Sequence, residues 1–237
     1  MSDVLEVCEE RVAIRRDGGS LEGVLTYAFD VAPSWGVLIA GPHPFLGGDL
    51  KNNVVKALSR NLAAAGAVTL AFNYGGIGEG GEDGLTDWSA AISAFWKEGR
   101  IEEESGWIHD TAAAIVALHG WCDRPLVLVG YSFGCWAISE NVGDQVACAV
   151  ILLSPNPGKH AFDGLDRCDA PLLVLHTDND FACGVDEVVT WFDGLREPKT
   201  RRLLSAGEHF FRGSETALVE AILEYLKELK LEGVTVS

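Results

Sequence analysis

Basic residues are scarce in this chain. Lys and Arg number 18 against 35 Asp and Glu, a net charge of −17 over 237 residues. Nucleic acid and an anionic membrane surface are therefore not expected as partners, because both would repel the protein. No apolar run is long enough to span a bilayer, and residues 1–10 are polar and acidic, without the basic flank and apolar stretch of a secretory signal. There is no Cys-x-x-Cys; the six cysteines, Cys8, Cys122, Cys135, Cys148, Cys168 and Cys183, are scattered. Without a signal segment they read as buried free thiols, and the expected compartment is the cytoplasm. No group of His, Cys and Asp has metal-ligand spacing, so neither a metal nor another cofactor is expected. Repeats, low-complexity tracts and linkers are also missing, and one domain over residues 1–237 is expected.

What is present is apolar material, 48% of the chain, arranged in short runs. Residues 11–16 and 21–27 alternate apolar and polar around Asp17-Gly18-Gly19, the pattern of an antiparallel hairpin at a sheet edge. Residues 36–40 and 67–72 read as buried strands. Between them, residues 53–65 carry Val54, Leu58, Leu62 and Ala65 on one helical stripe. Further on, strands at 125–129, 146–153, 171–176 and 201–204 alternate with helices at 111–118, 135–140, 185–192 and 217–229. A hairpin followed by βαβα alternation predicts a three-layer α/β/α sandwich around a mostly parallel twisted sheet.

One turn carries chemistry. The strand at 125–129 runs into Gly130-Tyr131-Ser132-Phe133-Gly134, and a helix follows at once. With 27 glycines in the chain a Gly-x-Ser-x-Gly match has appreciable chance odds, so the context carries the reading. A strand that turns directly into a helix strains its central residue and crowds the positions two before and two after it, where only hydrogen fits. Such a turn lifts Ser132 clear of the sheet as a nucleophile and aims the Phe133 N–H at whatever Ser132 attacks.

A serine hydroxyl needs a base within hydrogen-bond reach, and the base needs an orienting carboxylate. On this kind of sheet the order is Ser, acid, His, each on a loop after a later strand. The acid loop reads His176-Thr177-Asp178-Asn179-Asp180-Phe181. Asp180 sits deeper in the loop and is the preferred acid; Asp178, closer to the strand, is the reserve. Asp186 is better placed as a charge at a helix N-terminus. The last strand and last helix flank Ser205-Ala206-Gly207-Glu208-His209-Phe210-Phe211, whose only histidine, His209, is the expected base. A second oxyanion donor is expected from the loop after the strand at 36–40. Pro42 and Pro44 lack an N–H, which leaves Gly41, His43, Phe45 and Leu46, with His43 or Phe45 favoured.

The stretch 75–110 is longer than a simple βα connection. Within it Trp88, Ala91, Ile92, Phe95 and Trp96 recur at helical spacing, with Thr86 or Asp87 as the cap, and Trp107 follows the acidic run 102–104. An aromatic-rich, lid-like insertion at about 81–107 is expected, with Trp88, Phe95, Trp96 and Trp107 packing on the core, lining a substrate pocket, or both.

With elbow, acid loop and terminal histidine in this order, the chain resembles an α/β-hydrolase. It is most similar to the small bacterial serine hydrolases that carry a His-Pro-His-Pro loop followed by Gly-Gly. That loop stands here as Gly41-Pro42-His43-Pro44-Phe45-Leu46-Gly47-Gly48, and the family's Phe-Asn-aromatic-x-Gly-x-Gly segment as Phe72-Asn73-Tyr74-Gly75-Gly76-Ile77-Gly78. The resemblance implies Ser132 as nucleophile, Asp180 as acid, His209 as base and an oxyanion site lined by the loop holding His43 and Phe45. Three features depart from the pattern: the first His is Gly41, the residue usually basic after the aromatic is Gly75, and the aromatic insertion is longer. The expected function is a serine carboxylesterase acting on a small-molecule ester with a small or medium acyl or aryl group. The alternatives are a thioesterase, lactonase, amidase or acyltransferase with the same residues, and a non-catalytic binding module on this scaffold.

Overall fold

A computed structural model describes residues 6–77, 88–99, 101–143, 147–231, 234 and 236, without the side chains of residues 88, 89 and 206. The expected cap at Thr86 or Asp87, the whole stretch 81–87 and the first residue of the strand expected at 146–153 lie outside the described residues. So does the Trp88 side chain.

The chain opens with the hairpin its alternation predicts, β1 (Val7–Arg16) against β2 (Gly19–Ala28), antiparallel around Gly18. The elements that follow are β3 (Trp35–Ala40), α1 (Asn53–Ala64), β4 (Ala67–Phe72), α2 (Trp88–Glu98), α3 (Glu104–Trp121), β5 (Leu126–Tyr131) and α4 (Phe133–Asn141). β6 (Ala149–Leu153), β7 (Leu172–Asn179), α5 (Val185–Asp193), β8 (Lys199–Glu208) and α6 (Glu215–Leu229) complete the sheet and its cover. The eight strands form one sheet in the order β1-β2-β4-β3-β5-β6-β7-β8, antiparallel from β1 to β4 and parallel thereafter.

The inner strands are apolar on both sides, as strands buried between two helical layers must be. Val37, Ile39, Val127, Val129, Ile151 and Leu173 face α1 and α6, where Leu58, Leu62, Leu218 and Ile222 meet them. The alternate residues Leu38, Leu70, Leu128, Leu152 and Val174 face the layer holding α3 and α4. Asn52 starts α1 by accepting the N–H groups of Val54 and Val55 on its side-chain oxygen. The result is an α/β/α sandwich on a mostly parallel sheet.

Several elements are longer than their patterns predict, β8 and α3 most of all. β8 spans residues 199–208 rather than 201–204, because it pairs with β7 from Lys199 to Leu204 and again at Glu208, while its outer arginine, Arg202, is held by Ala221 O and by Glu228 at 2.8 and 2.9 Å on α6. α3 begins at Glu104 rather than Thr111. Its buried stripe is Glu104, Trp107, Thr111, Ala114 and Leu118, so Trp107 belongs to a main helix of the sandwich and not to an excursion. The expected insertion is divided accordingly: α2 is a separate helix that packs through Phe95 on His43, and the segment around Trp107 is part of α3. Among the described residues no helix is long and apolar enough to cross a membrane.

Candidate active site

The C-terminal ends of the parallel strands carry the polar residues singled out above. At the end of β5, Ser132 has φ 54° and ψ −113°, a conformation that costs a non-glycine residue roughly 1–3 kcal/mol and is held only by its surroundings. A Cβ at Gly130 would stand 2.5 Å from Gly134 O, and one at Gly134 would run into the carbonyl oxygen of Ala40 at the end of β3. The two glycines thus allow β5, α4 and β3 to meet closely enough to form the turn. Ser132 N–H donates to Leu153 O at 2.9 Å, which ties the elbow to β6.

Three loops converge on the serine. The Ser132 hydroxyl lies 3.0 Å from His209 Nε2, and His209 Nδ1 lies 2.8 and 2.9 Å from the two carboxyl oxygens of Asp180. With Nδ1–H donating to Asp180, Nε2 is the free acceptor for the serine proton. The imidazole is held from behind. Tyr131 hydroxyl donates to His209 O at 2.9 Å, and the Asn53 amide donates to Phe210 O at 3.1 Å and to Glu215 at 2.7 Å. Phe181 and Phe210 lie against the ring, with centroids 4.8 and 5.4 Å away, and Phe211 is fully buried against Tyr131. His209 itself is 1% exposed.

Burial works to raise the Asp180 pKa, but the hydrogen bond and charge of His209 and the Ala182 N–H at 2.8 Å outweigh it, so the carboxyl is held below its ordinary range. It therefore stays ionised across neutral pH. Asp178 is an exposed residue within β7, and the hydrogen bonds to His209 come from Asp180.

The loop after β3 turns through a short 3₁₀ segment, Pro44–Leu46. Phe45 N–H donates to His43 Nδ1 at 3.2 Å and Leu46 N–H to His43 O at 2.8 Å, so both amides are committed inside the loop. Of the two favoured oxyanion donors, Phe45 is thus turned inward on the His43 ring. The N–H groups of His43 and Phe133 donate to no acceptor among the described residues. Tyr74 hydroxyl donates to Gly41 O at 3.0 Å and clamps the start of the loop.

The aromatic residues gather around His43, which is 3% exposed. Phe95 stacks on it at 4.2 Å, and Trp107, Phe133 and Phe45 meet its ring at 5.1, 5.5 and 5.2 Å. Trp96 is not brought in; it is 69% exposed and touches the cluster only through Phe95. On the other side of Phe133, Trp136 stacks with His160 at 4.4 Å.

Sequence patterning did not single out Glu104 or the pair Arg16 and Asp110. Glu104 lay in an acidic run that looks like surface, although its spacing to Trp107, Thr111, Ala114 and Leu118 marks it as a member of the buried stripe. Asp110 accepts the Gly75 N–H at 2.7 Å and lies 3.5 Å from Arg16 Nε. The Arg16 guanidinium occupies the space beside Gly75, 2.8 Å from where a Cβ would stand. A cation from β1 therefore lies beside this carboxylate. Trp107 Nε1–H donates to Gly75 O at 3.1 Å, which completes the anchoring of the loop after β4.

Two buried histidines make a prediction on stability. Burial lowers the pKa of His43, against the raising effect of Glu104, and burial and the neighbouring Arg201 lower that of His176, whose Nε2 lies 3.0 Å from Arg201. Both are held neutral in the fold, while in the unfolded chain they take up protons below about pH 6.5. Their contribution is thus complete above that value and erodes as pH falls below it. Thermal melts between about pH 8 and pH 5 are expected to show a falling Tm, and His176→Gln to flatten part of that slope. A wild-type Tm constant over this range contradicts the assignment.

A groove of about 1040 Å³ lies elsewhere, between the β1–β2 hairpin and the outer face of α3. It contains none of Ser132, His209 and Asp180, so size alone does not locate the chemistry.

No protein-family model matches the chain. An uncharacterised protein of Rickettsia prowazekii (strain Madrid E) is 24% identical over 224 residues, 88% of this chain and 84% of that protein. Among solved structures, an alpha-beta serine hydrolase homologue from Coxiella burnetii superposes with a TM-score of 0.76 at 26% identity, over 92% of this chain and 97% of that one. An α/β serine hydrolase without lid from Xanthomonas campestris gives 0.77 at 19% identity, over 93% and 94%. The fold is that of the α/β-hydrolases.

Proposed function

We propose that the protein is a serine hydrolase, a carboxylesterase acting on small or medium acyl or aryl esters. The observation that carries the reading is the unbroken hydrogen-bonded series Ser132, His209, Asp180 on a strained strand-to-helix turn. Ser132 Oγ attacks the ester carbonyl while its proton passes to His209 Nε2. Asp180 keeps the imidazole in the tautomer that can accept that proton and stabilises the imidazolium that forms. The tetrahedral oxyanion is held by the N–H groups of Phe133 and His43. His209 then gives its proton to the leaving alcohol. In the second half of the cycle His209 deprotonates water, which releases the acid and restores Ser132.

An apolar acyl or aryl group suits the ring cluster of Phe45, Phe95, Trp107 and Phe133 around the proposed oxyanion loop. In this reading α2, through Phe95, borders the acyl group, and the whole chain acts as one domain. A p-nitrophenyl ester series of increasing acyl length tests the proposal. Turnover is expected, with kcat/KM passing through a maximum at short to medium chains; no turnover of any ester, together with no labelling by a fluorophosphonate probe, contradicts it.

A further inference from the structure

A second pair of titratable side chains lies beside the proposed reaction centre, and neither side chain takes part in the steps above. His43 and Glu104 are 3% exposed each, and His43 Nε2 stands 3.3 Å from Glu104 Oε1. That contact is off the line of a hydrogen bond, and buried Nε2 has no hydrogen-bond partner among the described residues, so proximity and charge link it to Glu104. The far side of the ring is equally defined. Nδ1 accepts the Phe45 N–H at 3.2 Å, so it carries no hydrogen, and a neutral ring must then carry it on Nε2, facing Glu104. Glu104 also receives the Ile101 N–H at 3.4 Å, which orients its carboxyl group from the preceding turn. Phe95 stacked on the ring and Trp107 at its edge prevent the imidazole from rotating away.

We infer that Glu104 is a positioning residue for the oxyanion site, acting through the His43 ring on the His43 backbone. The inference rests on the serine-hydrolase reading above. The Glu104 carboxyl oxygen 3.3 Å from Nε2 favours a hydrogen on that nitrogen and so the tautomer in which Nδ1 is an acceptor. Nδ1 then draws in the Phe45 N–H, and the Leu46 and Gly48 N–H groups close on His43 O at 2.8 and 3.2 Å. These bonds wind the loop tightly around His43 and leave its own N–H without an acceptor among the described residues, as the proposed oxyanion donor. The opposite tautomer would set the Nδ1 hydrogen against the Phe45 N–H, two donors face to face, and the turn would open. An oxyanion donor is effective only when it is in place before charge develops, so a small displacement lowers kcat while leaving substrate binding nearly intact.

The test compares Glu104→Leu and Glu104→Gln with wild type on one p-nitrophenyl ester, with Tm measured for each. Glu104→Leu removes the acceptor and is expected to lose kcat roughly 10- to 100-fold with KM changed less than about threefold. Glu104→Gln keeps a carbonyl acceptor and is expected to recover most of that loss. Histidine ¹⁵N resonances of wild type are expected to show His43 with its hydrogen on Nε2. The inference is overturned if Glu104→Leu folds with wild-type Tm and wild-type kcat, if both variants lose activity alike, or if His43 carries its hydrogen on Nδ1. Should Glu104→Leu not fold, Glu104→Gln activity and the wild-type tautomer decide. Fluorophosphonate labelling of wild type separates the two levels: an unlabelled wild type removes the hydrolase reading itself, whereas a labelled wild type with an indifferent Glu104→Leu removes only the role of Glu104.

Discussion

Ser132→Ala is expected to abolish ester turnover, with kcat falling roughly 10⁴- to 10⁶-fold, and to abolish covalent labelling by a fluorophosphonate. The effect is large because the hydroxyl is the atom that forms the acyl-enzyme bond. What remains is the smaller contribution of binding and of preorganised N–H donors. The variant should fold normally. Among the described residues the serine hydroxyl bonds only to His209, and alanine at φ 54° bears the same backbone strain as serine, so neither packing nor the elbow geometry changes. An unchanged Tm with lost labelling therefore isolates chemistry from stability. Activity within about tenfold of wild type would remove Ser132 as the nucleophile and with it the proposed mechanism.

The second large effect concerns the acid, where the chain offers two aspartates two residues apart. Asp180→Asn is expected to lower kcat about 10⁴-fold. The amide can present its NH₂ to His209 Nδ1, which favours the tautomer bearing hydrogen on Nε2, and that nitrogen then has no lone pair for the Ser132 proton. Asp178→Asn is expected to leave kcat within about threefold, because its side chain is exposed along β7 and the bonds to His209 come from Asp180. A steady-state comparison of the two variants settles the assignment; equal losses, or the larger loss at 178, would reverse it. Asp180→Asn should also flatten the acid end of the stability profile. A carboxyl whose folded pKa is depressed contributes stability that is present above its unfolded pKa of about 3.9 and is lost as pH falls through its folded value.

Much of this was legible in the residues themselves. The short apolar runs at 36–40, 67–72 and 125–129 are strands of the sheet, and the stripe Val54, Leu58, Leu62 is the buried face of α1. These patterns are local, since the period of a helix or strand places its apolar residues without reference to the rest of the chain. The order of serine, aspartate and histidine was readable for the same reason, each lying just after a strand. Gly130 and Gly134 announced the elbow because close backbone approach admits no other residue.

The rest depended on which distant segments touch. That α3 begins at Glu104 was hidden by an acidic run, and a carboxyl group among acidic neighbours looks solvated until His43 is placed 3.3 Å from it. The partner of Asp110 is Arg16 from the hairpin, because Gly75 leaves open the space its guanidinium enters. Phe95 and Trp96 are adjacent in the chain, yet one stacks on His43 and the other faces water, since neighbouring helix positions point about 100° apart and only the docking of α2 decides which points inward. By itself the sequence determined the strand and helix periods, the elbow glycines and the order of the polar residues along the chain, all properties of short segments. Only the tertiary structure decided which carboxyl groups are buried, which ring lies against His43 and which amides of the loop after β3 are already committed, because those follow from contacts between segments far apart in the chain.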